Sequence, residues 1–174
     1  MAANWTAFTA AQVLTAAQLN GVVDNFQDVA IFNETQAAST AGGTFTSGSF
    51  ATRVLNTTIV NNIASCSLST NAVSLPAGTY YMRAIAPAFQ ANEHQVKIYN
   101  STDSADVVLG GQGYGASTVE ATTFSEAIAV VTITGTKSFV VQHRCALTKA
   151  TNGLGTAITW GNNIFTRFEI IRIQ

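Results

Sequence analysis

Two histidines and one cysteine are the residues of this sequence best suited to nucleophilic catalysis. His143 and Cys145 are two positions apart in the run KSFVVQHRCAL, so their side chains share one face if the run is a β-strand. A cysteine beside a histidine could form a nucleophile–base dyad. The apolar run around Cys145 favours a buried, unreactive thiol instead. We interpret His94 and His143, the only histidines, as strand residues that hydrogen-bond locally.

The other polar motifs are weak as metal or phosphate sites. No carboxylate or thiol brackets either histidine at the spacing of metal ligands. Asp103 and Asp106 in STDSAD could contact a cation, but two acidic residues in one loop favour solvated turn positions. The stretch GGQGYG, Gly110–Gly115, precedes no helix that could hold a phosphate, so we predict a flexible loop. We expect no enzymatic activity, no metal and no cofactor.

The composition argues against nucleic acid and membrane as partners. Charged residues make up 10% of the chain and the net charge is −1, whereas soluble domains carry about 25% charged residues. The Lys and Arg residues are scattered, and no apolar stretch approaches the roughly 20 residues of a spanning helix. The first residues, MAANWTAFTAAQVL, lack the features of a secretion signal. We therefore expect folding in a cytoplasm, with Cys66 and Cys145 as buried free thiols rather than a disulfide.

Residues 1–32 carry the convincing helical pattern of this chain, in LTAAQLNGVVDNFQDVAIF. Thr15 and Gln18 have the spacing of a capping box. Apolar residues then recur at helical spacing: Leu19, Val22, Val23, Phe26, Val29 and Ala30. An isolated helix of this length is marginal in water, so its apolar stripe needs a partner. Residues 33–50 are rich in Gly, Ser, Thr and Ala and predict a linker.

Residues 51–174 predict a mainly β domain. Eight short β-type runs are separated by turn signals such as Pro76–Gly78, Gly135 and TNGLG, which is typical of a β-sandwich or barrel. The run HQVKIYN alternates cleanly, with Val96 and Ile98 opposed to polar residues, so one of its faces contacts solvent.

Two of these runs are apolar on both faces. In the closing IFTRFEIIRIQ, simple alternation places Ile164, Phe168 and Ile170 on one side and Phe165, Ile171 and Ile173 on the other. The run SEAIAVVTIT likewise has apolar residues on both faces. A sandwich core covers one face of each sheet, and no helical segment remains in the domain to cover the second. We predict a ring-like homo-oligomer with these interface residues: Ile128, Val130, Phe165, Phe168, Ile170, Ile171 and Ile173.

The ordered set LPAGTYYMRAIAPAF, HQVKIYN and FVVQHR, with the closing FTRFEIIRIQ, resembles the C-terminal head domain of phage and prophage tail-fibre proteins. The resemblance covers about residues 51–174. That family looks like a tumour-necrosis-factor-like jelly roll, which is a trimeric sandwich. The resemblance therefore implies a jelly-roll β-sandwich head, preceded by a short N-terminal helix and a linker, in a homotrimer whose inner sheets pack around the threefold axis.

The segment VLTAAQLNGVVDNF resembles a short VLTA-x-x-LN segment of phage virion proteins, which looks like an attachment element. This resemblance implies that attachment to the particle uses Val13, Leu14, Leu19, Val22 and Phe26. No long fibre shaft lies between this segment and the head. A compact knob or capsid decoration protein is therefore favoured over a long fibre.

Taken together, these features predict a homotrimeric phage virion surface protein that binds rather than catalyses. It would assemble in the host cytoplasm and contact other virion proteins of the capsid or tail. Tyr114 and Trp160, in exposed loops, are candidate aromatic platforms for a host glycan or protein. The alternatives are a tail-fibre tip that binds the host receptor and, less favoured, a hydrolase of cell-surface polysaccharide, which would need paired carboxylates.

Overall fold

The part of the chain from residue 28 to residue 173 forms a sandwich of β-strands. A computed structural model of the chain describes residues 28–173, together with Val13, Thr15 and Ala16. Residues 28–173 contain eleven strands and no helix. The strands are β1 Val29–Gln36, β2 Ala51–Thr52, β3 Thr57–Asn61, β4 Ser67–Ser69, β5 Ala72–Leu75, β6 Gly78–Phe89, β7 Asn92–Asn100, β8 Ala105–Gly115, β9 Thr122–Ile133, β10 Lys137–Cys145 and β11 Asn163–Arg172.

The strands form two antiparallel sheets that pack face to face. The first sheet has the order β3-β1-β11-β6-β9, and the second has the order β4-β5-β10-β7-β8 with β2 beside β10. Side chains of both sheets fill one core, among them Phe32, Met82, Ile98, Phe139 and Phe168. This confirms the predicted mainly β, jelly-roll sandwich.

Strand β6 shows how alternation divides the first sheet into two faces. Tyr80, Met82 and Ala84 are fully buried in the core, whereas the intervening Tyr81 and Arg83 point away from it. We call the side of the first sheet that faces away from the core the outer face.

The predicted boundary between helix, linker and head is wrong at residues 29–36. These residues form strand β1, which lies between β3 and β11 near the middle of the first sheet. Ala30 and Phe32 are fully buried in the core, although Val29 and Ala30 also fit the helical spacing. Tertiary pairing therefore decides their conformation. The rest of the predicted helix lies almost wholly outside the described residues.

A β-bulge changes which residues of β11 face the core. Asn33 pairs with Arg167 and Thr35 pairs with Ile164, so two steps along β1 match three steps along β11. The extra residue inverts the alternation. Ile164 is consequently exposed rather than sharing a side with Phe168, and Phe165 is buried.

The glycine-rich stretch is a strand, not the predicted loop. Gly110–Gly115 form the second half of β8. A Cβ on Gly110 would lie 2.4 Å from the carbonyl oxygen of Glu126, and one on Gly113 would lie 2.2 Å from Nε2 of His94. The glycines are needed because β8 passes unusually close to β9 and to the His94 ring.

The sandwich has two distinct ends. At the terminal end, Val29 pairs with Ile171, and the Asp28 carboxylate forms an ion pair with the Arg172 guanidinium at 3.9 Å. At the other end, which we call the loop end, the segments 37–50, 90–91, 116–121 and 146–162 meet. They are joined by main-chain hydrogen bonds from Phe89 to Gly153 and from Leu147 to Ala91. The chain thus enters and leaves the described domain at the end opposite the loops.

Candidate functional site

The outer face carries exposed apolar side chains on adjacent strands. Val130 on β9 and Ile171 on β11 both flank Tyr81 of β6, and Ile128 flanks Arg83. Val130 is 64% exposed and Ile128 47%. Ile173, Phe124 and Ile164 extend the apolar surface toward the two ends. Isolated exposed apolar residues need no explanation, but a group on one sheet face indicates an interaction surface.

A charge network crosses the middle of the outer face. Arg83 donates hydrogen bonds to Glu126 on one side and to Glu169, at 3.1 Å, on the other. Arg167 lies 3.7 Å from Glu169. Two cations and two anions therefore neutralise each other within one chain. A second surface could cover this face without meeting a net charge.

Four of the seven predicted interface residues lie on the outer face: Ile128, Val130, Ile171 and Ile173. The assignment of Phe168 and Ile170 is wrong, because both are fully buried in the core of one chain. Phe165 is also misassigned, since it is 7% exposed and packs against Gly155.

Sequence reasoning missed several members of this surface. Tyr81, Arg83 and Phe124 were not selected, nor was the carboxylate pair Glu126 and Glu169. Alternation in GTYYMRAIA could have identified Tyr81 and Arg83, because they oppose the apolar series that contains Met82. The charge network depends on cross-strand register, which the sequence does not show.

The loop end presents the two predicted aromatic platforms. Trp160 is 83% exposed, so it does not pack under its own loop. Tyr114 is 59% exposed and lies near the end of strand β8 rather than in a loop. A recess of about 150 Å³ also lies at this end, between the start of β9 and the start of β11. Its walls include Pro87, Phe124 and Ile164. This end combines exposed aromatic surface with connecting loops, which carry binding residues more often than the elements they join.

The histidine–cysteine dyad does not form. His143 Nε2 lies 2.9 Å from Nδ1 of His94, and the Cys145 thiol instead donates to the carbonyl oxygen of Leu147 at 3.2 Å. Burial raises the pKa of the Cys145 thiol to about 11, which opposes thiolate formation. Cys145 and Cys66 are both buried and free, as predicted.

The two carboxylates of the STDSAD motif are engaged in ion pairs rather than presented to a ligand. Asp103 accepts a hydrogen bond from Lys137 at 2.5 Å, and that ammonium group lowers the pKa of Asp103. Asp106 pairs with Lys97 at 2.5 Å. Within the described ranges, no group of three His, Cys, Asp or Glu side chains is placed to hold a metal ion.

The predicted attachment residues fall mainly outside the described part of the chain. Val13 is described and is 88% exposed. Leu14, Leu19, Val22 and Phe26 lie outside the described residues. In the part of the chain that the structure describes, no helix has the length and apolar character needed to span a membrane.

Known structures share this fold at low sequence identity. The globular domain of zebrafish complement 1qA protein is 12% identical, with a TM-score of 0.53 over 83% of this chain and 98% of its own. Eiger TNF from S. frugiperda is 11% identical, with a TM-score of 0.54 over 84% and 92%. Murine APRIL at pH 5.0 is 8% identical, with a TM-score of 0.51 over 83% and 98%.

No family model and no curated protein matches the sequence. The low identities of the similar structures establish the fold alone. Residues 28–173 therefore adopt a jelly roll like those of the complement 1q and tumour-necrosis-factor domains.

Proposed function

We propose that this chain is the subunit of a homotrimeric bacteriophage virion surface protein, anchored through its N-terminal segment. Its loop end binds a partner, and it has no catalytic role. The observation that carries the proposal is the outer face, where apolar side chains surround a self-neutralised charge network. The resemblance of the head and of VLTAAQLNGVVDNF to phage proteins supplies the virion context.

The outer face suits association with sister subunits. Val130, Ile128 and Ile171 together expose apolar surface that water solvates poorly. Burial of a few hundred Å² per subunit would contribute several kcal/mol at about 25 cal/mol per Å². The Arg83 network can be buried with its partners in place, so it avoids the cost of an unpaired charge.

The polarity of the sandwich supports an anchored, outward-facing head. The chain enters at Asp28 on the terminal end, whereas Tyr114 and Trp160 lie at the loop end. A segment attached to a capsid or tail before residue 28 would leave the loop end free for a host glycan or protein. Three loop ends on one trimer would add avidity to weak contacts.

A substitution on the outer face tests the association. In Val130→Glu, three added carboxylates would be buried around the axis, and we expect the trimer dissociation constant to rise at least 100-fold. Leu109→Glu is the matched control, because Leu109 is 52% exposed on β8 of the second sheet. Sedimentation equilibrium measures both variants. Equal dissociation constants for the two would contradict the proposed interface.

The virion role needs a separate test. Cryo-microscopy of the particle, with antibody against the head, would locate the protein on capsid or tail. Finding it at the capsid lattice supports a decoration role, and finding it at the tail supports a fibre tip. Its absence from purified particles would overturn the virion assignment while leaving the trimer untouched.

A further inference from the structure

A pair of buried histidines lies beneath the loop end. His94 of β7 and His143 of β10 are 2% and 0% exposed. Nδ1 of His94 lies 2.9 Å from Nε2 of His143, and Nε2 of His94 lies 2.8 Å from Oγ1 of Thr123 on β9. The ring of Phe45 covers His143 with 4.6 Å between ring centroids. The pair therefore joins both sheets and the 37–50 segment.

The ionisable surroundings of the pair oppose a positive charge. Arg53 repels a proton on either ring. Glu34, the ion-pair partner of Arg53, already accepts hydrogen bonds from Arg53 and Thr166, at 2.9 Å and 2.8 Å. Cys145 pairs with His94 across β10 and β7, and burial raises the pKa of its thiol to about 11, which opposes a negative charge there. No free negative charge among the described groups around the pair is available to balance an imidazolium.

The hydrogen-bond geometry also opposes protonation of both rings. The nitrogens of His94 and His143 that face each other share one hydrogen, so one must donate and the other accept. If both rings were fully protonated, two N–H groups would point at each other across the 2.9 Å between Nδ1 of His94 and Nε2 of His143. The other ring nitrogen of His143, Nδ1, is buried without a hydrogen-bond partner, so a proton there would gain no acceptor.

We propose that the His94–His143 pair is an acid-sensitive latch, which holds the loop end closed while both rings are neutral and releases it on protonation. Release would separate the groups that meet at the pair: the Phe45 segment, Gly113 of β8 and Thr123 of β9. This inference concerns one folded chain and does not depend on the virion role. It assigns to the loop end a pH-controlled conformation.

The direction of the pH effect follows from burial. Burial, reinforced by Arg53, lowers the pKa of His94 to about 4, and burial lowers the pKa of His143 well below its ordinary value. Once the latch opens, the rings regain a pKa near 6.5. The opened form therefore binds more protons. Closure is fully favoured above about pH 6.5 and loses stability as the pH falls from there toward 4.

The first test compares the pH dependence of urea unfolding between pH 7.5 and 4.5. In His143→Gln the amide can replace Nε2 as the partner of His94 but cannot titrate. The slope of the unfolding free energy against pH reports how many protons are taken up on unfolding. We expect that number to fall by about one in this variant. Thr123→Val is the control: it removes a partner of the same pair but no titrating group, and keeps the wild-type slope. A wild-type slope in His143→Gln would overturn the proposal.

A second measurement needs no variant. The chain contains only two histidines, so NMR of the intact protein resolves both rings. We expect neither to titrate near pH 6.5 in the folded state. We also expect hydrogen-exchange protection factors at Phe45 and Thr123 to drop by pH 5, while those at Tyr81 and Ile170 persist. A ring that titrates near 6.5, or an equal loss of protection at both ends, would refute the latch.

Discussion

Arg53 carries a full charge into the interior and is held there by three acceptors. Its guanidinium donates to Thr166, Glu34 and the carbonyl oxygen of Leu154, at 2.7, 2.9 and 2.9 Å. Arg53 and Glu34 are 2% and 1% exposed. Burial lowers the pKa of Arg53, and Glu34 opposes that shift. The pair ties β1 and β11 to the 146–162 loop, so it positions the loop end.

Loss of one partner should destabilise the fold strongly. Glu34→Gln removes the negative charge and leaves the Arg53 guanidinium buried beside a neutral amide. We expect the free energy of unfolding to fall by about 3–5 kcal/mol, measured by urea denaturation at pH 7.

The control for this substitution is a partly exposed pair. Lys137→Met removes the partner of Asp103 at the surface, and little change is expected because solvent screens such pairs. A similar loss of unfolding free energy in the two variants would show that the Arg53–Glu34 pair contributes no more than a surface pair.

At the scale of the elements, β8 depends on glycine for its place in the sandwich. Gly110→Ala would bring a Cβ within 2.4 Å of a main-chain oxygen of Glu126, which cannot move without breaking β9. We expect a loss of about 1–3 kcal/mol of unfolding free energy, the usual cost of overpacking.

Gly135→Ala is the matched control for β8, because an added Cβ at Gly135 meets nothing within 4 Å. Thermal denaturation followed by circular dichroism compares the two proteins. The close-packing explanation fails if Gly110→Ala melts at the same temperature as Gly135→Ala.

Strand β1 is an integral part of the first sheet, because it pairs with both β3 and β11. Removal of residues 1–27 keeps all of β1 and should leave a soluble, β-rich protein. Removal of residues 1–32 deletes Ala30 and Phe32 from the core and strips β3 and β11 of part of their partner. We expect that second protein to be insoluble. Far-UV circular dichroism and gel filtration check both, and a well-folded 33–174 protein would contradict the assignment of β1.

Much of the sheet structure could be predicted from local pattern. HQVKIYN and KSFVVQHRCAL correspond to β7 and β10 because strong β-formers are bounded by turns. VAIF was misread since its spacing also continues a helix, and only pairing with β11 selects a strand. The bulge near Thr35 and the close approach of β9 to Gly110 arise from contacts between distant segments, which local pattern does not encode.

The apolar surface of the outer face was only partly predictable from local pattern. Val130 and Ile171 were identified because a strand with apolar residues on both faces needs a second protein surface to cover the face that does not meet the core. Phe168 and Ile170 were included wrongly, since the sequence does not say which side meets the core. Arg83 was missed because its partners, Glu126 and Glu169, come together only through the register of three strands.

At the scale of the whole molecule, the sandwich has one face and one end that are suited to binding. We propose that the outer face binds copies of the same chain and that the loop end with Trp160 binds an external partner. The chain enters at the terminal end, so an anchor there would not block the loops. Self-association is the central claim, because the proposed display of three loop ends depends on it.

Sedimentation equilibrium of the unmodified chain at micromolar concentration tests that claim most directly. We expect a single species with three times the 18.2 kDa mass of one chain. A folded species of 18.2 kDa under the same conditions would show that the outer face is stable in water, and would contradict the trimer.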